Sequence, residues 1–553
     1  MSHRPVTAER GRSLRCRGWR QESILRMLEN NLEIGERPED LVIYGGRGKA
    51  ARDWDSYDKI VEALVGLAED ETLVVQSGKP VGIWRTHRAA PLVVMANGNI
   101  TGGPSPEEFY ELLDKGLTIW PGMTAAAWQY IGPQGIVQGT YESFTAAART
   151  RLGGSLVGHT IVTGGCGGMG GAQPLAGKLA GASTLVADVR EDRLGKRKDS
   201  GYLDGYTTDV AAAIEQWLAA AHERAPRSVG VVANVVEVLE LLLDRRVTPD
   251  IVTDQTTTDP RDGYCPVGLS APDADRLRGE DPDKLVTLAR GTLARHVRAM
   301  LEFQRRGSLV FEYGNWLRRE ALRAGVADAM EIPSFVNLFI RPMFCEGIGP
   351  FRWIAISGDE AAIAAIDALV GDMFSDVPRV TEWLEKARSI EFTGLPARIC
   401  WLGHGQRTKI ALAVNDLIAS GSLEGPVAFT RDHLDAGSAS IPERETEAMA
   451  DGSDAISDWA LLNAMLNGAA GADLVALHGL AGRSQSAGVT IVADGSADAA
   501  QRIERVLDAD TGLGILRYAD AGYEVARTAA SRHGLGIDLQ LAARAKETSR
   551  VAP

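Results

Sequence analysis

The residues whose types and spacing could do chemistry begin with a glycine-rich turn, Gly165-x-Gly167-x-x-Gly170, and the later Asp188. The turn follows an apolar segment (159–163) and precedes a predicted helix that starts near Ala172. Glycines let the backbone approach a pyrophosphate, and a helix N-terminus offers free N–H groups. This pattern predicts a dinucleotide-binding turn, with Asp188 accepting hydrogen bonds from ribose hydroxyls and favouring NAD over NADP. A glycine turn packed for steric reasons alone is the alternative.

The elements that must position this turn alternate between strands and helices through the middle of the chain. The predicted strands cover 159–163, 183–188, 228–233 and 250–253, and the predicted helices between them cover 209–224 and 235–245. Strand–helix alternation at this spacing implies right-handed crossovers and a parallel sheet. The sequence therefore predicts an α/β protein with a Rossmann-type, parallel-sheet domain.

That domain is predicted to be inserted in a larger α/β core built from the two ends of the chain. The predicted boundaries give an N-terminal core segment (1–131), a Rossmann-like domain (132–337) and a C-terminal catalytic segment (338–553). Outside the Rossmann-like domain, strands are predicted at 41–44, 72–76, 91–95, 398–402 and 489–492, and helices at 55–68, 359–374 and 497–508. The proline- and aspartate-rich stretch 271–283 is predicted to be a surface loop.

Charge and hydropathy exclude several classes of protein. The chain has 553 residues, a net charge of −14 and a pI of about 5.3, which argues against a nucleic-acid surface. An acidic enzyme that binds an anion must build a local positive pocket from particular arginines. No run of about 18 apolar residues predicts a membrane span, and the basic N-terminus lacks the apolar core of a signal peptide.

The five cysteines and nine histidines do not follow a metal-binding pattern. Cys16, Cys166, Cys265, Cys345 and Cys400 form no CxxC pair, and the histidines form no HExxH motif. We therefore expect no metal site. Few cysteines in a long chain suit a reducing compartment, so the predicted location is the cytoplasm.

Longer strings spread along nearly the whole chain resemble the urocanase (urocanate hydratase) family. They include YGGRGKAARDW (44–54), YIGPQGIVQGTYE (130–142), GGMGGAQPLAG (167–177), IRPMFCEGIGPFRW (340–353), LPARICWLG (395–403), RDHLDAGS (431–438) and RETEAMADGSDAISDW (444–459). The resemblance implies a homodimer that holds NAD⁺ without releasing it. The nicotinamide serves as an electron sink, so that water adds to an imidazole acrylate with no net redox.

The resemblance assigns a set of cofactor-binding residues. These are Gly45, Gly46, Gly168, Met169, Gly170, Asp188, Arg193, Asn234, Val235, Gln255, Thr256, Thr257, Thr258, Tyr264, Cys265, Tyr313 and Gly482. Asp188 stands where the family has glutamate, an exchange that keeps the carboxylate.

Five residues are predicted to do chemistry on the substrate. Cys400 matches the cysteine treated as the family's active-site residue, although a buried, inert strand cysteine is the alternative. Arg352 is the candidate clamp for the substrate carboxylate, because a planar guanidinium binds a carboxylate through two hydrogen bonds; a structural ion pair is the alternative. Asp432 is the candidate to orient water and move protons, with His433 sharing that task or holding the loop. Tyr44 is a candidate donor to the ring or carboxylate.

The chain departs from the family pattern where the family surrounds its ligands. Gly122 replaces a glutamine, Trp316 replaces an asparagine, and the segment 254–260 lacks a histidine. The loop 477–486 is shorter, keeps His478 and has Ser486 in place of a second histidine. Lost polar partners would leave the edge of plain urocanate unpaired. We therefore predict a ring-substituted urocanate, 2-thio or S-methylthio, with Trp316 packing on the substituent; plain urocanate, an NAD-dependent dehydrogenase and a non-catalytic NAD-binding paralogue are the alternatives.

Overall fold

A computed structural model describes residues 4–102, 105–480 and 482–536. The N-terminal segment contains α1 (Trp19–Glu33), β1 (Val42–Tyr44), β2 (Gly48–Lys49), α2 (Trp54–Gly66), β3 (Glu71–Gln76), β4 (Lys79–Arg85), β5 (Val93–Asn97) and α3 (Pro106–Asp114). The middle of the chain contains α4 (Gln134–Arg151), β6 (Thr160–Gly164), α5 (Ala172–Leu179), β7 (Ser183–Asp188), α6 (Glu191–Asp199), β8 (Gly205–Thr207), α7 (Val210–His222), β9 (Arg227–Val232), α8 (Val235–Asp244), β10 (Ile251–Val252), α9 (Ala271–Glu280), α10 (Pro282–Arg305), β11 (Leu309–Val310) and α11 (Leu317–Arg323).

The C-terminal segment completes the molecule. A π-helical turn (Val336–Ile340) leads into α12 (Arg341–Cys345), β12 (Gly349–Ala355), α13 (Glu360–Met373), α14 (Pro378–Ala387), β13 (Ala397–Leu402), α15 (Gln406–Ala419), β14 (Val427–Arg431), β15 (Ala439–Ser440), α16 (Asp458–Ala470), β16 (Leu474–Leu480), β17 (Ser484–Ala493), α17 (Ala497–Asp520) and α18 (Glu524–Arg532).

The middle strands form a six-stranded parallel sheet in the order β11-β10-β6-β7-β9-β8. Strands β6 and β7 are buried along their whole lengths, as expected when helices cover both faces of a parallel sheet. Strand β7 lies on one side of β6 and β10 on the other, so the strand order reverses at β6. Ligands of such sheets bind in the crevice outside the strand ends at this reversal. The glycine turn follows β6 at that point.

A second, nine-stranded sheet joins the two ends of the chain, in the order β13-β12-β14-β17-β16-β5-β3-β4 with β15 beside β17. The N-terminal strand β5 pairs in parallel with the C-terminal strand β16. Neither end could bury its strands alone in this arrangement. The predicted fold class, a parallel-sheet domain inserted in an α/β core made by both chain ends, is confirmed.

Two local predictions were wrong. The stretch 271–283 was predicted to be a loop, but α9 covers most of it, because Ser270 caps the helix by accepting a hydrogen bond from the Asp273 N–H and a proline is tolerated in the first turn. The helix predicted over 497–508 continues to Asp520. No helix within the described ranges is long and apolar enough to cross a membrane.

Candidate active site

The glycine turn after β6 forms the wall of a cleft at the strand ends of the six-stranded sheet. The cleft is lined by residues from the ends of several strands and from the N-terminal segment. A Cβ at Gly165 would lie 2.7 Å from the carbonyl oxygen of Gln255, and a Cβ at Gly170 would collide with the carbonyl of Gly165. Gly165 also has a φ of +86°, which favours glycine. The turn therefore needs glycine for its own geometry, and it leaves backbone close to the cleft.

Two carboxylates flank this turn. Asp188 accepts hydrogen bonds from the backbone N–H groups of Cys166 (2.7 Å) and Arg190 (2.9 Å) at the end of β7. Glu36, from the segment after α1, accepts a hydrogen bond from the Gly168 N–H at 3.0 Å. The Arg193 guanidinium lies 3.8 Å from Asp188. The N-terminal segment thus reaches into the cleft, a contribution that the sequence analysis missed because no local motif marks Glu36.

Most of the residues assigned to the cofactor meet at this cleft. Its lining includes Gly45, Gly168, Met169, Gly170, Asp188, Arg193, Asn234, Val235, Gln255, Thr256, Thr257, Tyr264 and Cys265. Asn234 is held by its own hydrogen bonds, accepting from the Val236 N–H at 3.0 Å and donating to the carbonyl of Cys265 at 2.9 Å.

Four residues of that set lie elsewhere. Gly46 lines a neighbouring basic cleft with Arg37 and Lys49, because the turn between β1 and β2 directs it away from β6. The Thr258 hydroxyl donates to the carbonyl of Asn315. Tyr313 lines a second cavity, and Gly482 is exposed in the turn between β16 and β17.

The second cavity adjoins the dinucleotide cleft, since Met169 and Gln255 line both. It lies between α4, the π-helical turn and the nine-stranded sheet. Its walls are mainly apolar and aromatic, and comprise Gly135, Ile136, Gly139, Tyr313, Phe335, Val336, Ile340, Phe344, Pro350, Ile399, Trp401, Asp432, Leu434, Arg444 and Glu445. A flat apolar ligand bearing a few polar atoms suits such walls.

Arg352 lies beside this cavity, behind two of its lining residues, Gly135 and Asp432. It is buried on β12, where its Nη2 donates to the carbonyl of Gly135 at 3.1 Å and pairs with the carboxylate of Asp432. Its Nε and Nη1 are buried and have no hydrogen-bond partner among the described residues. Buried guanidinium N–H groups are normally paired. The Nε and Nη1 groups of Arg352 are therefore available to donate hydrogen bonds to a bound anion.

Tyr44 lies near Arg352 and Asp432. Its hydroxyl is 3.0 Å from the Thr124 hydroxyl, and its ring packs on that of Tyr130 with centroids 4.9 Å apart. Burial raises the pKa of the Tyr44 phenol, and the nearby Asp432 adds to that shift. The phenol therefore stays protonated and can act as a hydrogen-bond donor.

His433 faces away from the cavity, although its neighbours Asp432 and Leu434 line it. Its ring stacks on His478 with centroids 4.4 Å apart, and its Nδ1 is 3.1 Å from the Ser486 hydroxyl. Burial lowers the pKa of both histidines well below the ordinary value. This neutral, packed pair holds the loop after β14, which was one of the two roles considered for His433.

Cys400 also lies outside the cavity lining. Its strand neighbours Ile399 and Trp401 line the cavity, and successive strand residues point to opposite faces. The register places Cys400 opposite Phe351 and Ile399 opposite Arg352. Burial raises the pKa of the Cys400 thiol, which disfavours the reactive thiolate. The structure therefore places this predicted catalytic group in the packed layer behind the sheet.

Trp316 does not reach the cavity either. It begins α11 with a left-handed φ of +60°, and the Arg483 guanidinium lies over its ring at 5.8 Å. The suggestion that Trp316 packs on a ring substituent is not supported by this placement. The aromatic residues at the cavity are Tyr313, Phe335, Phe344 and Trp401 instead.

Comparison with known families matches three domain models in succession. The urocanase N-terminal domain matches residues 6–129, the urocanase Rossmann-like domain residues 132–339, and the urocanase C-terminal domain residues 342–532. The chain belongs to the urocanase family. A family protein of Variovorax sp. (strain JCM 16519 / RA8), named S-methyl thiourocanate hydratase, is 58% identical over 538 residues, which cover 97% of this chain and 98% of that protein. The urocanase chain described here is accordingly a hydratase-type lyase, as predicted.

Proposed function

We propose that this urocanase hydrates S-methyl thiourocanate and uses a tightly bound NAD⁺ to do so. The observation that carries the proposal is the mainly apolar cavity that lies beside Arg352 and adjoins the dinucleotide cleft at Met169 and Gln255. The name of the Variovorax relative supports the substrate. This proposal is preferred over the dehydrogenase and the non-catalytic paralogue, because the family and the relative are hydratases.

The cleft fits NAD⁺ in its chemistry. The glycine turn offers backbone that a Cβ would otherwise cover, and Asp188 offers a carboxylate to ribose hydroxyls. Gly45, Arg193, Asn234, Gln255 and Tyr264 would hold the rest of the molecule. When bound, NAD⁺ supplies an electron sink that makes the conjugated substrate susceptible to water.

Arg352 would bind the substrate carboxylate. Its Nη2 is held by Gly135 and Asp432, while Nε and Nη1 find no acceptor within the described ranges. Nε and Nη1 point to opposite sides of the guanidinium, so either of them could donate one charge-assisted hydrogen bond to a carboxylate. The ion pair with Asp432 thus orients the clamp, and the alternative of a purely structural pair leaves those N–H groups unexplained.

Asp432 and Tyr44 would handle the water and its protons. Asp432 lines the cavity next to Arg352, so its carboxylate can accept a proton from attacking water. The protonated Tyr44 hydroxyl, near the same carboxylate, can donate a hydrogen bond to the substrate's carboxylate or ring. Cys400 is proposed to be a packing residue, since its thiol lies behind the sheet.

The apolar walls favour a methylthio substituent. Part of the cavity wall consists of the hydrocarbon side chains of Val336, Ile340 and Phe344. The polar edge of an unsubstituted imidazole ring would lose its hydrogen bonds to water there. Segment 254–260 lacks a histidine that the family has, and segment 477–486 has Ser486 in place of a second histidine while it keeps His478. A larger, less polar ring loses less on entering such a site.

Assembly and location are proposals as well. The exposed side chains of Leu462, Met465 and Leu466 lie together on α16, and an apolar face of this kind suits the homodimer expected of the family. We propose that the homodimer works in the cytoplasm, and that the chain divides at 131/132 and at 337/338.

The test compares substrates on the purified protein. Denaturation should release NAD⁺ from it, and S-methyl thiourocanate should lose its ultraviolet absorbance faster than urocanate does. Faster turnover of urocanate would contradict the assigned ring, and a protein that neither contains nor takes up NAD⁺ would contradict the assigned cofactor.

A further inference from the structure

Two glycines open one face of helix α4 toward the substrate cavity. A Cβ at Gly135 would lie 3.2 Å from Nη2 of Arg352, and a Cβ at Gly139 would lie 3.1 Å from Cζ2 of Trp401. Residues four apart share a helix face, and the rise of the helix separates them by about 6 Å. The guanidinium and the indole therefore rest on bare helix backbone at two points along the cavity floor.

The nine-stranded sheet repeats this spacing above the floor. Arg352 pairs with Ile399 in the register, and Trp401 follows two residues later on the same face of β13. Two strand residues span about 7 Å. An acrylate places its carboxylate and its ring at a comparable separation, so a carboxylate bound near Arg352 puts the ring beside Trp401.

Trp401 is fixed on all sides except at one polar atom. Its backbone N–H donates to Gln138 Oε1 at 2.8 Å, and its backbone carbonyl accepts from Arg379 Nη1 at 2.7 Å. Its ring stacks on Phe344, with centroids 6.1 Å apart and planes 10° apart. The indole Nε1 is buried and meets no acceptor in the part of the chain described. Since an indole N–H only donates, this atom calls for an acceptor on a ligand.

A carbon edge of the indole faces Gly139. Cζ2 would lie 3.1 Å from a Cβ at Gly139, and both Cε2, which is bonded to Nε1, and the Tyr313 hydroxyl would lie 3.8 Å from it. These contacts close the floor at Gly139. A flat ring would therefore lie beside the indole, in the cavity that Gly139, Tyr313 and Trp401 all line.

We infer that the Gly135–Gly139 face of α4 is the floor of the substrate site, and that the Trp401 indole N–H donates to an imidazole nitrogen of the substrate. This inference rests on the proposed function and deepens it. Because the indole is a donor only, it binds the neutral ring in the tautomer that presents a lone pair. The ring carbon that bears the methylthio group is bonded to both ring nitrogens. The substituent therefore lies beside this hydrogen bond, against the apolar wall.

The first test is Gly139→Ala, with Gly291→Ala as its matched control. Gly291 is in α10, and a Cβ there would meet nothing within 4 Å. Alanine stabilises a helix interior relative to glycine, but the new methyl group would press on the indole, so the melting temperature of each variant is measured beside its activity. We expect Gly139→Ala to raise the KM for S-methyl thiourocanate about tenfold or more, with the melting temperature and bound NAD⁺ not reduced. A wild-type KM in this variant would overturn the inference.

The second test removes the donor and keeps an aromatic ring. Trp401→Phe is compared with Trp353→Phe, because Trp353 is also buried but its Nε1 donates to Asp367 at 3.2 Å on the opposite face of the sheet. Calorimetry on the NAD-loaded enzyme would measure binding of 2-(methylthio)imidazole propanoate, a saturated analogue. We expect about tenfold weaker binding in Trp401→Phe and unchanged binding in Trp353→Phe.

The outcomes separate this inference from the proposed function. Equal binding of the analogue by the wild type and Trp401→Phe, in an enzyme that hydrates S-methyl thiourocanate, would overturn the indole assignment alone. A wild-type enzyme that leaves S-methyl thiourocanate unchanged would overturn the proposed function and this inference with it.

Discussion

Arg352 and Cys400 lie on neighbouring strands of the nine-stranded sheet but on opposite faces of it. The register pairs Arg352 with Ile399 and Phe351 with Cys400. The guanidinium therefore lies on the cavity side of the sheet, while the thiol packs behind it. This relationship separates residues that act on the substrate from residues that support the strand.

Cys400→Ala should keep most of its activity. The thiol is fully buried behind the sheet, so its loss should cost on the order of 1 kcal/mol of stability through a small packing defect. We expect kcat and KM within about threefold of the wild type and a lower melting temperature. A loss of kcat above a hundredfold in a folded, NAD-loaded variant would show that the Cys400 thiol takes part in the reaction.

Arg352→Lys should weaken substrate binding strongly. A lysine has one nitrogen and lacks the planar group that lets Arg352 contact Gly135 and Asp432 through Nη2 and a carboxylate through a different nitrogen, and charged hydrogen bonds of this kind are worth about 1.5–3 kcal/mol. We expect kcat/KM to fall roughly 10- to 100-fold, measured by loss of substrate absorbance. Arg398→Lys is the control, because Arg398 is buried with Asp367 on the opposite face. Equal losses in both variants would argue for a structural role of Arg352.

Gly170→Ala should prevent retention of NAD⁺. The added methyl group would collide with the carbonyl of Gly165 and distort the turn that faces the cofactor. Gly279→Ala in α9, where a Cβ would meet nothing within 4 Å, serves as the control. After denaturation, cofactor released per chain should be far lower for Gly170→Ala. Wild-type NAD⁺ content in that variant would contradict the assigned cradle.

Asp254 should make stability depend on pH. It accepts hydrogen bonds from Thr256 and Asn315, but burial raises its pKa from the ordinary 3.8 to about 7. Between those values the folded state holds a proton that the unfolded state has lost, so this group's contribution to stability falls as pH rises. The slope is on the order of 1 kcal/mol per pH unit.

Asp254→Asn tests this dependence, because the amide does not titrate. Denaturant unfolding across that pH window should give a flatter profile for the variant than for the wild type. Parallel profiles would show that Asp254 is ionised throughout in the folded protein.

Sequence patterns predicted the parts of the site that depend on local geometry. The glycine turn and Asp188 follow directly from strands β6 and β7, and a turn of this kind needs no distant partner to be recognised. Glu36 was missed, because its contact with Gly168 depends on how the N-terminal segment packs. The sequence also did not predict that Trp401 lines the cavity while Cys400 packs on the other face of the sheet. Alternation along a strand assigns side chains to faces only once the sheet register is known. Two glycines four residues apart, Gly135 and Gly139, were the available signal for the cavity floor.

If bound NAD⁺ activates the substrate for water addition, the cofactor is not consumed in the reaction. Turnover of S-methyl thiourocanate in ¹⁸O-labelled water measures this most directly, with mass analysis of the product and of the cofactor that denaturation releases afterwards. We expect one labelled oxygen in each product molecule and cofactor that is still NAD⁺. A product without labelled oxygen, or NADH formed in proportion to the product, would contradict this mechanism.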